Sequence, residues 1–408
     1  MKYRISKKNK VLKGTVQLTP SKSISNRLLI IRALCNTPFE IENLASANDS
    51  FLLQKLLASS EKNLNAEDAG TAFRFLTAYL AQKPGEWTLT GSERMKQRPV
   101  GILVEALKKL GAEISYADKK NFPPVSIKGK KLKGGEIDID GSVSSQFISG
   151  LLMIAPTLER GLKLKISGEI SSQSYIDMTL KLLRLFGVRH EQKGKMISVA
   201  KQNYLGKNIF VESDWSAASY WYEMAALSDD VDLVLNGLQK DSIQGDAVIA
   251  EIMKRFGVET EFSGNAVRLT KKFPLSFDKF SYNFLASPDL VPAVAVTCAV
   301  LGVPAELKGV QNLRIKETDR LVALRTELNK MEVPSLISNF GFQISDAHGL
   351  KFPSSTFQTY NDHRMAMSFA PLALRFSEVE IENPEVVKKS YLEFWDDMKS
   401  VGFEIKEL

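Results

Sequence analysis

Residues 312–321 of the chain, NLRIKETDRL, concentrate charge at a point where a helix is about to begin. The charged side chains are Arg314, Lys316, Glu317, Asp319 and Arg320. Apolar residues then recur at helical spacing, at Leu321, Leu324, Leu328 and Met331. Cations at the start of a helix oppose its macrodipole, by about 0.3–1 kcal/mol each. Because a bound anion would offset this cost, the segment indicates an anion-binding site.

Other predicted helix starts repeat this pattern. The cations are Lys22 and Arg27 in TPSKSISNR, Arg74 in EDAGTAFRF and Arg364 in YNDHRMAM. The expected N-caps are Thr318 in NLRIKETDRL and either Asn361 or Asp362 in YNDHRMAM. Two more starts, GSVSSQF (141–147) and SSQSYID (171–177), offer serine hydroxyls and backbone N–H groups that suit a phosphate. One such start is typical of a solvated turn, whereas their recurrence favours a site for anions.

Two carboxylates could take part in acid–base chemistry. Glu317 lies between cations, which keep a carboxylate ionised unless burial competes. Asp289 precedes a long apolar run in SPDLVPAVAV, so it is either an exposed helix-start residue or a buried general base. His363 fits an ordinary polar position at a helix start as well as a site residue. The sequence leaves these alternatives open.

Length and charge bound the class of protein. A chain of 408 residues exceeds the roughly 250–300 at which one core stops growing, so two domains are expected. A net charge of +7 fits an anionic small substrate, nucleic acid or solubility alone. The basic start MKYRISKKNKVLKG reads as a solvated tail or edge strand, not as a nucleic-acid arm or secretory signal. The most apolar stretch, residues 291–305, is shorter than the ~20 residues that span a bilayer. We expect a soluble, cytoplasmic protein that binds neither membrane nor nucleic acid.

Several classes of site lack their motifs. No GxGxxG opens a βαβ unit and no GxxxxGK[ST] occurs, so nucleotide sites have no support. Cys35 and Cys298 belong to no CxxC or Cys/His cluster, and no HExxH is present, which argues against a disulfide framework and a structural zinc. No metal or cofactor is expected.

An amphipathic helix followed by glycine and a short strand recurs along the chain. The glycines are Gly111, Gly187, Gly257 and Gly402, with Glu332 at the equivalent place in a fifth copy and residues 50–60 as a possible sixth. Glycine just after a helix adopts the left-handed conformation at little cost. EWTLTG, KLKISG, VDLVLNG and AVRLT read as strands between these helices. The spacing of about 70 residues favours copies of one unit, although this order is also common punctuation in α/β proteins.

Seven motifs together resemble one family, 5-enolpyruvylshikimate-3-phosphate synthase. They occur in that family's order as PSKSISNR, AGTAFRFL, RMKQRPVGILVEAL, DGSVSSQF, SYIDMTLKLL, NLRIKETDRL and YNDHRMAM. The resemblance implies an α/β (α+β) fold of two lobes, each with three βαββ-type units and buried helices. Crossings near Thr19 and near VESDW (211–215) would give one lobe of residues 19–213 and another of 1–18 plus 214–408, with the active site in the cleft between them.

The resemblance also implies an activity. The family transfers the enolpyruvyl group of phosphoenolpyruvate to the 5-hydroxyl of shikimate 3-phosphate and releases phosphate, in the pathway to chorismate and the aromatic amino acids. It uses no metal or organic cofactor, and we expect a monomer that glyphosate inhibits. The first lobe would carry most shikimate 3-phosphate contacts, and the second the acid–base residues and those that clamp phosphoenolpyruvate.

Matching positions carry the family's site onto this chain. The catalytic residues would be Asp289 as proton acceptor, Glu317 as the carboxyl that protonates the methylene, and Lys22. Shikimate 3-phosphate would contact Lys22, Ser23, Arg27, Ser144, Ser145, Gln146, Ser172, Tyr175, Asp289, Asn312 and Lys316. Phosphoenolpyruvate would contact Lys22, Gly70, Arg98, Gln146, Arg320, Arg364 and Lys389.

The sequence departs from the family pattern in places. Thr19 and Pro20 stand where the family usually has Pro-Gly before Ser21-Lys22. Asp68 stands before AGT where Asn is common, and Phe75 where many relatives have Pro. Gln173-Ser174 replaces a frequent Lys-Pro pair, and Ser213 and Trp215 differ from the Gly and small residue common at the second crossing. None removes a residue with a direct chemical role. Other readings are a UDP-N-acetylglucosamine enolpyruvyl transferase, an RNA-terminal phosphate cyclase-like enzyme, or an inactive anion-binding paralogue. The first typically has Asn after the lysine and an active-site loop cysteine, whereas Ser23 follows Lys22 here and both cysteines lie in apolar helical runs.

Overall fold

Short helices and small sheets alternate along the chain. The computed structural model describes residues 1–272, 278–345 and 356–408. Its α-helices are α1 (Lys22–Leu34), α2 (Asn48–Ala58), α3 (Gly70–Gln82), α4 (Glu93–Lys96), α5 (Gly101–Lys109), α6 (Ser145–Ile154), α7 (Gln173–Leu185), α8 (Trp215–Leu227), α9 (Ile249–Lys254), α10 (Val291–Val300), α11 (Arg320–Asn329), α12 (His363–Phe369) and α13 (Phe394–Ser400).

The strands are short. They are β1 (Lys2–Ser6), β2 (Val11–Gln17), β3 (Ile41–Glu42), β4 (Asn63–Asn65), β5 (Gly85–Thr90), β6 (Glu113–Tyr116), β7 (Val125–Gly129), β8 (Gly135–Asp140), β9 (Leu162–Ser167), β10 (Glu191–Lys193), β11 (Met196–Val199), β12 (Ile209–Phe210), β13 (Asp230–Asn236), β14 (Val258–Ser263), β15 (Ala266–Lys271), β16 (Phe280–Asn283), β17 (Ala305–Lys308), β18 (Ser335–Ile337), β19 (Phe342–Ile344), β20 (Thr356–Phe357), β21 (Val379–Glu382) and β22 (Glu404–Glu407).

Five four-stranded sheets share one pairing pattern. Their orders are β4-β5-β7-β6, β8-β9-β11-β10, β2-β13-β15-β14, β16-β17-β19-β18 and β20-β21-β1-β22. In each order the first two strands are parallel and the other two pairs are antiparallel. A sixth, two-stranded sheet pairs β3 with β12 in parallel. The helix-glycine-strand order that recurs in the sequence therefore reflects copies of one structural unit.

In four of the five four-stranded sheets a buried helix connects the two parallel strands, whereas β2 and β13 are separated by the second unit and then by the buried α8. In one repeat the elements follow one another as β4-α3-β5-α5-β6-β7, with the single turn α4 between β5 and α5. The last four elements, β5-α5-β6-β7, form the predicted βαββ unit, and β4 and α3 precede it. Every residue of α10 is buried, as is every residue of α8 except Ser216. A helix that is apolar all round belongs inside a core, which explains the uninterrupted apolar run at 291–300.

The second helix of each repeat ends in a left-handed residue. Gly111, Gly187, Gly257 and Gly402 have φ of 104°, 80°, 81° and 91°, and Glu332 has φ of 56°. The fifth copy thus uses the same backbone turn without glycine. Left-handed backbone lets the chain leave the helix and enter the hairpin at once.

The chain divides into two compact units, residues 1–20 with 212–408 and residues 21–211. The predicted lobes have their boundaries near residues 19 and 213. The first unit contains the sheets that include β1, β2 and β16, and the second contains those that include β3, β4 and β8. No helix in the described part of the chain has the length and apolar character needed to cross a membrane.

Candidate active site

Three cations contact the carboxylate of Asp289 in the first unit. Its Oδ2 lies 2.9 Å from Nη2 of Arg364, and its Oδ1 lies 3.0 Å from Nη1 of Arg320 and 3.6 Å from Nζ of Lys316. Burial alone raises the pKa of Asp289, but the charges of these cations outweigh it and hold the pKa well below its usual range. With a side chain only 12% exposed, Asp289 is not the exposed helix-start residue of the first alternative.

Glu317 lies between two cations, as its sequence context predicts. Its Oε2 lies 2.7 Å from Nη2 of Arg320, and its Oε1 lies 3.5 Å from Nζ of Lys389. Arg320 therefore contacts both predicted acid–base carboxylates, Glu317 and Asp289. The pKa of the neighbouring Lys316 is lowered by burial, which outweighs the opposite effect of the charge of Asp289.

Asp362 is a site residue whose ion pair the sequence did not predict. Its Oδ2 accepts a 2.6 Å hydrogen bond from Nε of Arg320, and its Oδ1 accepts one of 3.0 Å from the backbone N–H of Arg364. Asp362 is fully buried and is the N-cap of α12, which selects it over Asn361. Burial lowers the pKa of Arg320, but Asp362, Glu317 and Asp289 outweigh burial and raise it.

The other predicted residues of this unit lie around the same helix start. Asn312 lies in the 3-10 helix Gln311–Ile315, just before Lys316. Helix α11 begins at Arg320 with Asp319 as N-cap, whose Oδ1 accepts from the N–H of Val322 at 3.2 Å. The prediction that Thr318 is the cap was wrong. The negative charge of a carboxylate at the cap also interacts favourably with the positive end of the helix dipole.

In the second unit, Arg27 is enclosed by neutral oxygens. Its guanidinium donates to Oγ1 of Thr179 at 2.7 Å, to Oγ of Ser149 at 3.1 Å, and to the carbonyls of Ser23 and Tyr175 at 2.9 and 3.2 Å. Burial lowers the pKa of Arg27 to about 10. These partners do not balance the positive charge of Arg27. Ser149 and Thr179, which sequence reasoning missed, orient it.

Gly70 opens α3 beside two arginines. Nη1 of Arg74 donates to the Gly70 carbonyl and to Oε1 of Gln146, at 3.0 Å each. Nε2 of Gln146 donates to Oγ1 of Thr71 at 2.9 Å, and Arg98 packs over Gly70. Gly70, Gln146 and Arg98, predicted from separate motifs, are thus neighbours.

Lys22 and the predicted serines lie at helix starts in the same unit. Nζ of Lys22, the first residue of α1, lies 3.6 Å from Oδ2 of Asp49, a partner that the sequence did not indicate. Ser144 is the N-cap of α6, and Ser145 is its first residue. Ser172 precedes α7 in the left-handed conformation, with φ of 59°, and is almost fully buried. Such strained residues gather at functional sites.

Each unit carries groups suited to binding anions, and the first unit also carries the acid–base carboxylates Asp289 and Glu317. Arginines and lysines bind phosphate and carboxylate, and helix N-termini add backbone donors. Ionised Asp289 can accept a proton once its cations are drawn elsewhere, and Glu317 lies at a second position for proton transfer. Within residues 1–272, 278–345 and 356–408, no three His, Cys, Asp or Glu side chains are grouped as a metal site would require.

Comparisons with known proteins agree on one family. The model of the family described as EPSP synthase (3-phosphoshikimate 1-carboxyvinyltransferase) matches residues 52–398. A 3-phosphoshikimate 1-carboxyvinyltransferase of Bacteroides fragilis is 45% identical over 410 residues, covering 100% of this chain and 99% of that protein. One from Colwellia psychrerythraea is 35% identical over 420 residues, covering 96% and 97%.

Solved structures show the same fold at lower identity. The EPSP synthase of Acinetobacter baumannii superposes with a TM-score of 0.79 at 23% identity, over 100% of both chains. The enolpyruvyl transferase NikO of Streptomyces tendae gives 0.76 at 14% identity, over 99% of this chain and 98% of that one. The identity and coverage of the curated relatives, with the matching family model, show that this chain belongs to the EPSP synthase family.

Proposed function

We propose that this protein transfers the enolpyruvyl group of phosphoenolpyruvate to the 5-hydroxyl of shikimate 3-phosphate and releases phosphate, as a 3-phosphoshikimate 1-carboxyvinyltransferase. The observation that carries the proposal is the 45% identity, over the whole chain, to an enzyme of that name. The arrangement around Asp289 supports it. An ionised carboxylate held by cations that themselves suit anionic substrates is what this reaction requires.

Shikimate 3-phosphate binding is assigned to a defined set of residues. They are Lys22, Ser23, Arg27, Ser144, Ser145, Gln146, Ser172, Tyr175, Asp289, Asn312 and Lys316. Support comes from Arg27, whose neutral partners leave its charge for an anionic group, and from the serines that begin α6 and α7. Backbone N–H groups at helix starts bind phosphate oxygens.

Phosphoenolpyruvate binding is assigned to Lys22, Gly70, Arg98, Gln146, Arg320, Arg364 and Lys389. Phosphoenolpyruvate carries both a carboxylate and a phosphate, and guanidinium groups bind either with paired hydrogen bonds. Asp362 holds the guanidinium of Arg320, and Asp289 and the hydroxyl of Tyr220 hold that of Arg364, so both groups lose little freedom when an anion binds.

The reaction needs balanced proton movements. The 5-hydroxyl oxygen bonds to C2 of phosphoenolpyruvate while its proton passes to Asp289. Glu317, which pairs with Arg320 and Lys389 as a carboxylate, first takes up a proton from solvent and then gives it to the methylene carbon, which yields a tetrahedral intermediate. The C2–O bond to phosphate then breaks and the methyl carbon loses a proton, which restores the double bond. Lys22, Glu317 and Lys389 are the candidates for carrying these later protons.

Substrate binding would tune Asp289 as a base. Arg364, Lys316 and Arg320 hold the pKa of Asp289 well below its usual range, which makes it a weak proton acceptor. An anion that draws these cations toward itself weakens their hold on Asp289 and raises its pKa. The base is therefore strongest when phosphoenolpyruvate is bound.

The test is an assay of phosphate release with purified protein. Phosphate appears only when phosphoenolpyruvate and shikimate 3-phosphate are both supplied. Release with UDP-N-acetylglucosamine in place of shikimate 3-phosphate would reassign the acceptor. ATP-dependent action on RNA ends would indicate a cyclase, and binding of both substrates without turnover would indicate an inactive paralogue.

The protein is further proposed to act as a monomer in the cytoplasm. Both cysteines, Cys35 and Cys298, are unbridged thiols, as suits a reducing compartment. Light scattering on the purified protein should give the mass of one chain. Twice that mass at micromolar concentration would contradict the monomer.

A further inference from the structure

Two consecutive residues in strained backbone precede Asp362. Tyr360 and Asn361 have φ of 53° and 55°, in the left-handed region. Asparagine tolerates this region, whereas a bulky residue such as tyrosine rarely adopts it. Strain of this kind persists only where surrounding contacts impose it, and it gathers at functional sites. Neighbouring groups must therefore hold this turn.

Glu327 supplies such contacts from α11. Its Oε1 accepts a 2.5 Å hydrogen bond from the hydroxyl of Tyr360, and its Oε2 accepts bonds from Nζ of Lys330 at 2.6 Å and from the N–H of Gln358 at 3.1 Å. The side chain of Glu327 is fully buried. Through Tyr360 and Gln358 it fixes the chain on the N-terminal side of the strained pair.

The position of Glu327 is unfavourable without these partners. It is the third residue from the end of α11, where the negative end of the helix dipole opposes a carboxylate. A buried carboxylate is also costly unless donors surround it. Helix stability therefore does not account for a glutamate here, whereas binding the 358–360 segment does.

The same helix holds the chain on the other side of the strained pair. Arg320, seven residues before Glu327, faces the same side of α11. Its Nε and Nη2 donate to the carboxylate of Asp362 at 2.6 and 3.3 Å. Helix α11 therefore contacts the chain on both sides of Asn361. Glu327 binds Gln358 and Tyr360, and Arg320 binds Asp362.

We propose that Glu327 and Tyr360 are positioning residues, which hold the strained turn so that Asp362 orients the guanidinium of Arg320 and fixes the backbone at Arg364, the start of α12. The inference rests on the proposed function, in which those arginines bind phosphoenolpyruvate. Neither Glu327 nor Tyr360 is among the residues assigned to substrate binding. If the Tyr360 anchor is lost, the turn relaxes, Asp362 shifts, and the two guanidinium groups lose their relative orientation.

The test compares two Tyr→Phe variants that each lose one hydroxyl. Tyr360→Phe removes the anchor to Glu327. Tyr222→Phe removes a 3.0 Å contact with Oγ1 of Thr260 elsewhere in the same unit and is the matched control. Tyr360→Phe should raise KM for phosphoenolpyruvate about tenfold, as expected for a lost hydrogen bond to a charged group, with the Kd of shikimate 3-phosphate unchanged within about twofold. Tyr222→Phe should change neither.

Amide hydrogen exchange gives a readout independent of activity. Exchange across residues 358–364 should accelerate in Tyr360→Phe and remain at the wild-type rate in Tyr222→Phe. Glu327→Gln should show the same change more strongly, because an amide nitrogen would then face a donor. Since Glu327→Gln can fail to fold, the milder Tyr360→Phe decides the outcome.

The outcomes separate the inference from the function on which it rests. Equal KM values and equal exchange in the two phenylalanine variants would overturn the inference while leaving the activity intact. If wild-type protein releases no phosphate from the two substrates, the proposed function fails. In that case unchanged exchange in Tyr360→Phe would show that the hydroxyl of Tyr360 does not hold the strained turn. Accelerated exchange would show that it does.

Discussion

Gly70 and Arg98 are packed so closely that a Cβ atom on Gly70 would lie 2.5 Å from Nη1 of Arg98. The same atom would lie 2.6 Å from Nη1 of Arg74. Real Cβ atoms do not approach other atoms this closely, so a side chain at position 70 must displace the guanidinium groups. The arrangement of Arg98 and Arg74, and not the backbone, therefore favours glycine here, since the φ of Gly70 is not in the left-handed region.

Gly70→Ala should raise KM for phosphoenolpyruvate by about tenfold and relieve inhibition by glyphosate, because Arg98 and Arg74 move. Initial-rate kinetics with and without glyphosate measure both effects. Gly150→Ala, within α6, is the control, since its Cβ would meet Ala78 at an ordinary 3.5 Å. Unchanged glyphosate inhibition in Gly70→Ala would refute the prediction.

Asp289→Asn should lower kcat by about 10²–10⁴, the usual contribution of a general base, and should change substrate binding far less. The amide keeps the shape of the side chain but cannot accept the proton. Asp232→Asn, which breaks a surface pair with Arg268, should leave kcat unchanged. Near-normal turnover in Asp289→Asn would assign the base to another residue.

Asp246→Asn should stabilise the protein at neutral pH but not at acid pH. Burial, and then the charge of Asp289, raise the pKa of Asp246 to about 6. The folded-state pKa exceeds the unfolded value of about 3.9, so the stabilisation by its protonated form is complete below pH ~4 and is lost as pH rises through 6. We expect a gain of about 2 kcal/mol in the free energy of unfolding at pH 7.5 and almost none at pH 4. Denaturant titrations at both pH values measure it, and equal gains would contradict this origin.

Glu223→Met should also stabilise the fold. Burial raises the pKa of Glu223 well above its usual range, and neither carboxyl oxygen has a hydrogen-bond partner within the described part of the chain. Removing a buried polar group without partners should add about 1–3 kcal/mol to the free energy of unfolding at pH 7. The gain should grow above the folded-state pKa, where the wild-type carboxyl must ionise. Glu251→Met, at an exposed position of α9, is the control and should show almost no change.

Much of the fold follows from local patterns. Residues 291–300 form the buried helix that their apolar run predicts, and Gly111, Gly187 and Gly257 end helices where the periodicity stops. The prediction of Thr318 as N-cap was wrong; both residue types can cap a helix, and the adjacent aspartate is the better cap. The choice of Asp319 lets Arg320, at the first helical position, reach Asp362 and Asp289.

The partners of the site residues lay beyond local reasoning. Arg320 and Asp362 are 42 positions apart, and Arg27 and Thr179 are 152 apart. No short-range periodicity relates such positions. The left-handed Tyr360 was equally unpredictable, since tyrosine has no local preference for that backbone and contacts such as the one with Glu327 hold it there.

The sequence by itself determined the family, the repeated unit and the chemical types gathered at the helix starts. Those properties reside in residue identity and in spacings of a few positions, which periodicity and motif order report directly. The charges of NLRIKETDRL predicted an anion-binding site, which stays a prediction, and the structure shows Lys316, Glu317 and Arg320 in ion pairs there. Only the tertiary structure decided that Arg320 contacts Asp289, Glu317 and Asp362 together, and that a side chain at Gly70 would displace the guanidinium groups of Arg98 and Arg74. Ion-pair geometry and steric exclusion depend on through-space distance, which the folding of the whole unit sets.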